Sequence, residues 1–152
     1  METVLHNSVI PYLQKRYGLD ETIKVRLLHT AGIGEGSLDE IIGDLEELSN
    51  PTVGLAAHTG TVDIRLTAKA KTEAKANQML AEVENEIRQR LGKSIFGTDQ
   101  DELESVTLAL LEQRNLTLVA LESGLGGRLS SQLKRPASSS LHPHPAQGDP
   151  LR

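Results

Sequence analysis

One stretch of this sequence leaves the chain little freedom. From Thr61 to Lys69, Val62, Ile64, Leu66 and Ala68 alternate with Asp63, Arg65, Thr67 and Lys69. Successive side chains of a strand point to opposite faces, so this alternation requires a strand with one buried and one wet face. The residues before it, Thr52 to His58, reach it through Thr59-Gly60, and the pair reads as a hairpin. A sheet with one apolar face needs a layer to cover it, and amphipathic helices on either side of the hairpin are the natural cover.

Two such helices are predicted. Ser37 opens the first, with Glu40 three residues on as a capping box, and its apolar face is Leu38, Ile41, Ile42, Leu45 and Leu48. Asn50-Pro51 stops it. The second runs from Thr72 to Leu91 with a stripe of Ala76, Leu80, Val83, Ile87 and Leu91, and Gly92 is its C-cap. Residues 23–30 alternate as a further strand, and Lys93 to Phe96 reads as a short extended segment. Residues 21–97 therefore form an α+β domain of strand, helix, two strands, helix and strand, with both helices on one face of the sheet.

Elements flank this domain on both sides. Val4, Leu5, Val9, Tyr12 and Leu13 recur at helical spacing over residues 3–17, with Pro11 either breaking the helix or starting it and Gly18 ending it. After Gly97, Thr98 with Asp101 caps a helix through Arg114, and Leu116 to Leu121 reads as a short apolar strand. A turn, Glu122-Ser123-Gly124-Leu125-Gly126-Gly127, leads to a helix ending near Leu133. From Pro136 onward Ser, Pro, His and Gly dominate, and residues 135–152 read as a disordered tail.

Composition narrows the function. The chain holds three aromatic residues, Tyr12, Tyr17 and Phe96, so its core is aliphatic and stacking of several bases on aromatic platforms is disfavoured. A net charge of −5 argues against broad binding to a phosphate backbone. Without cysteine there is no disulfide, thiolate metal site or thiol nucleophile. No secretory signal or membrane span is apparent, which makes the cytoplasm the default. No cofactor or metal is expected: His29 and His58 fall in strands and His142 and His144 in the tail, none at convincing ligand spacing with a carboxylate partner.

Four features carry chemistry, each beside an ordinary alternative. Gly32 and Gly34 lie in a strand-to-helix turn with Glu35 and Ser37, where backbone N–H groups could hold a phosphate; a tight connection needing positive φ explains them as well. Gly124-Leu125-Gly126-Gly127 matches the G-x-x-G loop of RNA-binding KH domains, a short motif that arises easily by chance. Ser123 at a strand-to-helix turn suits a nucleophile, with Lys134 the nearest later lysine, or else a helix N-cap. Arg26, Arg65 and Lys69 share either a basic strip for an anionic ligand or simply a wet sheet face.

Several separated motifs also occur in a recognisable order. Arg26-Leu27-Leu28, Gly32-Ile33-Gly34-Glu35-Gly36-Ser37, Asn50-Pro51-Thr52-Val53-Gly54, Val62 to Ala68 and Ile95-Phe96-Gly97 together resemble the KH-like middle domain of the bacterial CinA (competence/damage-inducible) family. The resemblance covers about residues 1–133. It implies that residues 1–20 are a remnant helix of an N-terminal molybdopterin-binding-like domain, associated in the family with ADP-ribose pyrophosphatase activity. Residues 21–97 would be the KH-like domain and 98–134 the truncated start of an α/β nicotinamide mononucleotide deamidase domain. The family motif Glu-Ser-Cys-Thr-Gly-Gly maps its serine onto Ser123, while Gly124 and Leu125 depart from it. The Gly32–Ser37 turn and Asn50 would lie near the nucleotide domain's active site, with a pyridine nucleotide or ADP-ribose-type ligand in that context. The expectation is an accessory or interaction module, inactive alone, that meets a partner domain or a second copy. The alternatives are a deamidase component that uses Ser123 after association, and a small RNA-binding module.

Overall fold

The computed structural model describes residues 4–18, 21–123 and 126–133. A helical run comes first, a π-helical turn at Leu5–Val9 followed by α1, Ile10–Tyr17. Pro11 has no N–H to donate, so one bond is missing from the helical ladder where the π turn gives way to α1. Strand β1 is Thr22–Ala31, helix α2 Glu35–Glu46, β2 Thr52–His58, β3 Thr61–Ala70, α3 Glu73–Leu91 and β4 Ile95–Thr98. Helices α4, Leu103–Gln113, and α5, Arg128–Leu133, follow. The chain divides into two compact units between Ile95 and Phe96.

The four strands form one sheet in the order β2-β3-β1-β4. β3 pairs antiparallel with β1 from Thr22↔Ala70 to Ala31↔Thr61, and with β2 from Thr52↔Thr67 to His58↔Thr61. The first crossover, β1-α2-β2, leaves room for β3 between its strands, and the second, β3-α3-β4, leaves room for β1. The result is two interleaved split β-α-β units, an α+β domain.

The alternation in β3 sets the core. Val62, Ile64, Leu66, Ala68 and Ala70 are buried, and directly opposed residues of an antiparallel pair share a face. Leu38, Ile42 and Leu45 of α2, and Ala76, Leu80, Val83, Ile87 and Leu91 of α3, cover that face. Ile41 and Leu48, expected on the apolar face of α2, are 38% and 37% exposed. They flank the narrow stripe formed by positions 38, 42 and 45.

Local details follow from hydrogen bonding. Thr72 caps α3 by accepting from the Lys75 N–H at 3.2 Å, and Gly92 closes the helix at φ +51°. Helix α2 starts two residues before the expected Ser37: Gly34 is its N-cap, without a side-chain cap bond, and the Leu38 N–H reaches the Gly34 carbonyl at 3.0 Å. Glu35 in the first turn faces the positive end of the helix dipole instead. Thr98 and Asp101 form a reciprocal turn, with bonds of 2.8 and 2.9 Å, so α4 begins only at Leu103. The Leu116–Leu121 stretch is not a strand. A strand needs a neighbour for its N–H and C=O groups, and here Val119 and Leu121 stand 87% and 99% exposed.

Charged side chains tie α3 to the rest of its unit. Glu84 binds Arg26 of β1 at 2.6 Å and Arg88 at 2.9 Å. Arg90 holds Asp44 of α2 through both carboxylate oxygens and donates to the Ile41 carbonyl at 3.0 Å. This guanidinium pulls the Asp44 carboxyl below its ordinary value.

Replacing Ile64, fully buried at the centre of the sheet, with alanine removes core contacts and leaves a cavity. Urea unfolding of Ile64→Ala is expected to show a loss of about 3 kcal/mol with an unchanged m-value. The Asp44–Arg90 contact gives a second expectation. Because the folded-state pKa of Asp44 is depressed, its contribution is present above the ordinary carboxylate value of 3.8 and lost as pH falls through the lower folded value. The stability difference between wild type and Asp44→Asn should therefore shrink as pH drops below that point, and shrink with added salt at neutral pH.

Candidate functional site

The sheet face turned away from α2 and α3 carries the chemistry of the first unit. β2 contributes Thr52, Gly54, Ala56 and His58, and β3 contributes Thr61, Asp63, Arg65, Thr67 and Lys69. β1 adds Ile23, Val25, Leu27 and His29 through its register with β3. Gly54 lies directly opposite Arg65, and its missing side chain opens a shallow depression of about 330 Å³ lined by residues 52–56, Arg65 and Thr67. Arg65 is exposed and has no ion-pair partner among the described residues, whereas Lys69 is paired with Glu21. A cation beside two threonine hydroxyls and a bare backbone edge suits an anionic group.

Next to Arg65 on the same face lies a cluster that the sequence reading missed. Asp63 Oδ1 is 2.7 Å from His29 Nδ1, and Asp63 Oδ2 is 3.2 Å from His58 Nε2. One carboxylate thus links β1, β3 and β2. Residues 29, 58 and 63 become neighbours only through the β1–β3 register and the tight turn at Thr59-Gly60. Registering the 23–30 and 61–69 alternations against each other would have exposed the His29–Asp63 pairing. Among the described residues no group of three such side chains is placed to hold a metal ion.

The other expected residues separate. Arg26 does not share the face of Arg65 and Lys69: it lies opposite Leu66 on the helix-covered side, where Glu84 engages it. Gly32 has φ +73°, a backbone conformation that explains this glycine by the turn itself. Gly34 and Glu35 start α2, and Ser37 lies exposed in its first turn without a capping bond. Asn50 acts as an extra rung on β3. Its Nδ2 donates to the Lys69 carbonyl at 2.8 Å and its Oδ1 accepts from the Lys69 N–H at 2.9 Å, next to the cis Asn50–Pro51 bond.

In the second unit Ser123 is exposed in a bend. The capping expected of it is supplied by Glu122, which accepts from the N–H groups of Leu129 and Ser130 at 2.8 and 3.0 Å and from the Ser130 hydroxyl at 2.5 Å. Among the described residues no lysine or histidine bonds the Ser123 hydroxyl. Gly124 and Leu125 of the G-x-x-G loop, Lys134 and the 135–152 tail lie outside the described residues.

Comparison with known proteins places the first unit in a family. The family model for the damage-inducible protein CinA KH domain matches residues 25–97. A protein of Moorella thermoacetica named for competence-damage induction is 44% identical over 139 residues, which span 91% of this chain and 34% of that protein. A relative of the same name from Clostridium botulinum (strain Loch Maree / Type A3) is 42% identical over 134 residues, spanning 88% of this chain and 32% of its own length. A CinA-like protein of Synechococcus sp. (strain RCC307) is 41% identical over 140 residues, spanning 92% and 34%. The chain thus spans about a third of the length of the curated relatives it matches. Among solved structures, the ACT domain from a GTP pyrophosphokinase of Chlorobium tepidum aligns with 56% of this chain and 92% of its own at 17% identity and a TM-score of 0.37. On the matched motifs, the family model and these relatives, the chain belongs to the CinA family, with the family's KH domain at residues 25–97.

Proposed function

We propose that this chain serves as a non-catalytic accessory module of a CinA-type protein, whose flanking segments dock onto partner domains. The observation that carries the reading is the uncovered apolar surface of those segments. Tyr12 and Tyr17 before the domain are 59% and 64% exposed, and Leu116, Leu118, Val119 and Leu121 after it are 50–99% exposed. Contiguous apolar side chains left in water mark an interaction site. Among the described residues no base bonds the Ser123 hydroxyl, which supports the same reading, because an activated serine needs a base within hydrogen-bond reach. In a protein of pyridine nucleotide recycling, the ligand of this module would be a pyridine nucleotide or an ADP-ribose-type molecule, its anionic part meeting Arg65 beside Thr52 and Thr67.

The purified chain, incubated with nicotinamide mononucleotide or ADP-ribose, is expected to release ammonia or phosphate-bearing products no faster than buffer. Turnover that disappears in Ser123→Ala would overturn the reading in favour of a working deamidase component.

A further inference from the structure

The outer edge of β2 departs from how sheet edges are usually protected. β2 is the terminal strand of the sheet and pairs with β3 over seven consecutive residues without a bulge. Its sequence, Thr-Val-Gly-Leu-Ala-Ala-His, has no proline, lysine, arginine or carboxylate. Natural sheets blunt such edges with charges, prolines, bulges or very short strands, because unpaired N–H and C=O groups recruit another strand. Thr52, Ala56, Ala57 and His58 are exposed along this one.

We propose that β2 pairs antiparallel with β2 of a second copy of this chain, on a twofold axis through Leu55, joining two four-stranded sheets into one. Three features favour a second copy over another extended segment. First, the strand is self-complementary about Leu55. Leu55 meets Leu55, Val53 meets Ala57, Gly54 meets Ala56, and Thr52 meets His58 at the two ends, so no like charges oppose each other. Second, the neighbouring strands bring opposite charges into line. Since Gly54 pairs with Arg65 and Ala56 with Asp63, Asp63 of one copy stands in the same cross-sheet row as Arg65 of the other. Third, only Ala56 and Gly54 lie between them in that row, so the depression at Gly54 leaves the long Arg65 side chain a clear path across the joint. Asp63 and the other copy's Arg65 are three strand spacings apart at the backbone, about 14 Å, so the pair meets through extension of the Arg65 side chain across the joint, while the two Arg65 residues stand in different rows.

Sedimentation and light scattering of the full chain test this. The wild type is expected at twice the chain mass, dissociating on dilution. Ala57→Lys places a charge against Val53 of the other copy and should give a monomer. Arg65→Glu should weaken dimerisation about tenfold or more; Arg65 is exposed and has no ion-pair partner among the described residues, so this variant keeps its fold and reports on association even where Ala57→Lys does not fold. Val25→Lys, on the same face but away from the edge, should leave the dimer intact. Since the chain has no cysteine, Leu55→Cys should oxidise to a covalent dimer while Ala57→Cys does not. A wild type that stays monomeric at every concentration overturns the proposal, even if another protein's strand occupies the edge. So does dissociation by Val25→Lys with Ala57→Lys still dimeric, which would place the contact on the sheet face.

Discussion

The ten-residue antiparallel register between β1 and β3 is the constraint on which the rest of the structure depends. A strand residue can lie on only two faces, and a slip of one position exchanges them. With Leu28 opposite Ile64 and Thr30 opposite Val62, these residues turn toward α2 and α3, while Ile23, Val25 and Leu27 of β1 fall on the open face. The same register sends Arg26 to the helix side, where Glu84 neutralises it, and sends His29 to the open side, where Asp63 receives it. Core, helix attachment and surface chemistry are three consequences of one pairing.

The open face shows what such a pairing can assemble. His29, Asp63 and His58 come from three strands, and Arg65 and Gly54 from two. None of these groupings follows from spacing along the chain. Arg65 and Lys69 were readable as neighbours because period-two alternation places them on one face of one strand. Arg26 was not, because its face depends on which β3 residue it meets. The glycine turn illustrates the opposite case. Gly32 answers to its own φ of +73°, a local demand that sequence reveals without any knowledge of the fold.

The two units differ in how much of their apolar surface finds a partner. The first closes a core in which Leu28, Leu38, Ile42, Ile64, Leu66 and Ile87 are fully buried. The second has no buried residue in α4 or α5, and its Leu116–Leu121 stretch makes no sheet. Strand propensity in that stretch is genuine, with Leu, Thr and Val in succession, but propensity becomes a strand only beside another strand. That contrast is the observation behind the proposed docking role.

The sequence by itself determined the periodic features of this protein: the β3 alternation, the α3 stripe with Thr72 and Gly92 at its ends, the hairpin turn, the order of elements and the family motifs. Each is written in residues a few positions apart, where backbone geometry acts directly. Only the tertiary structure decided strand order, the start of α2 at Glu35, the separation of Arg26 from Arg65, and the meeting of Asp63 with two histidines. Those outcomes depend on which strands become neighbours and in what register, and that choice is made by burying one apolar face as a whole rather than by any local run of residues.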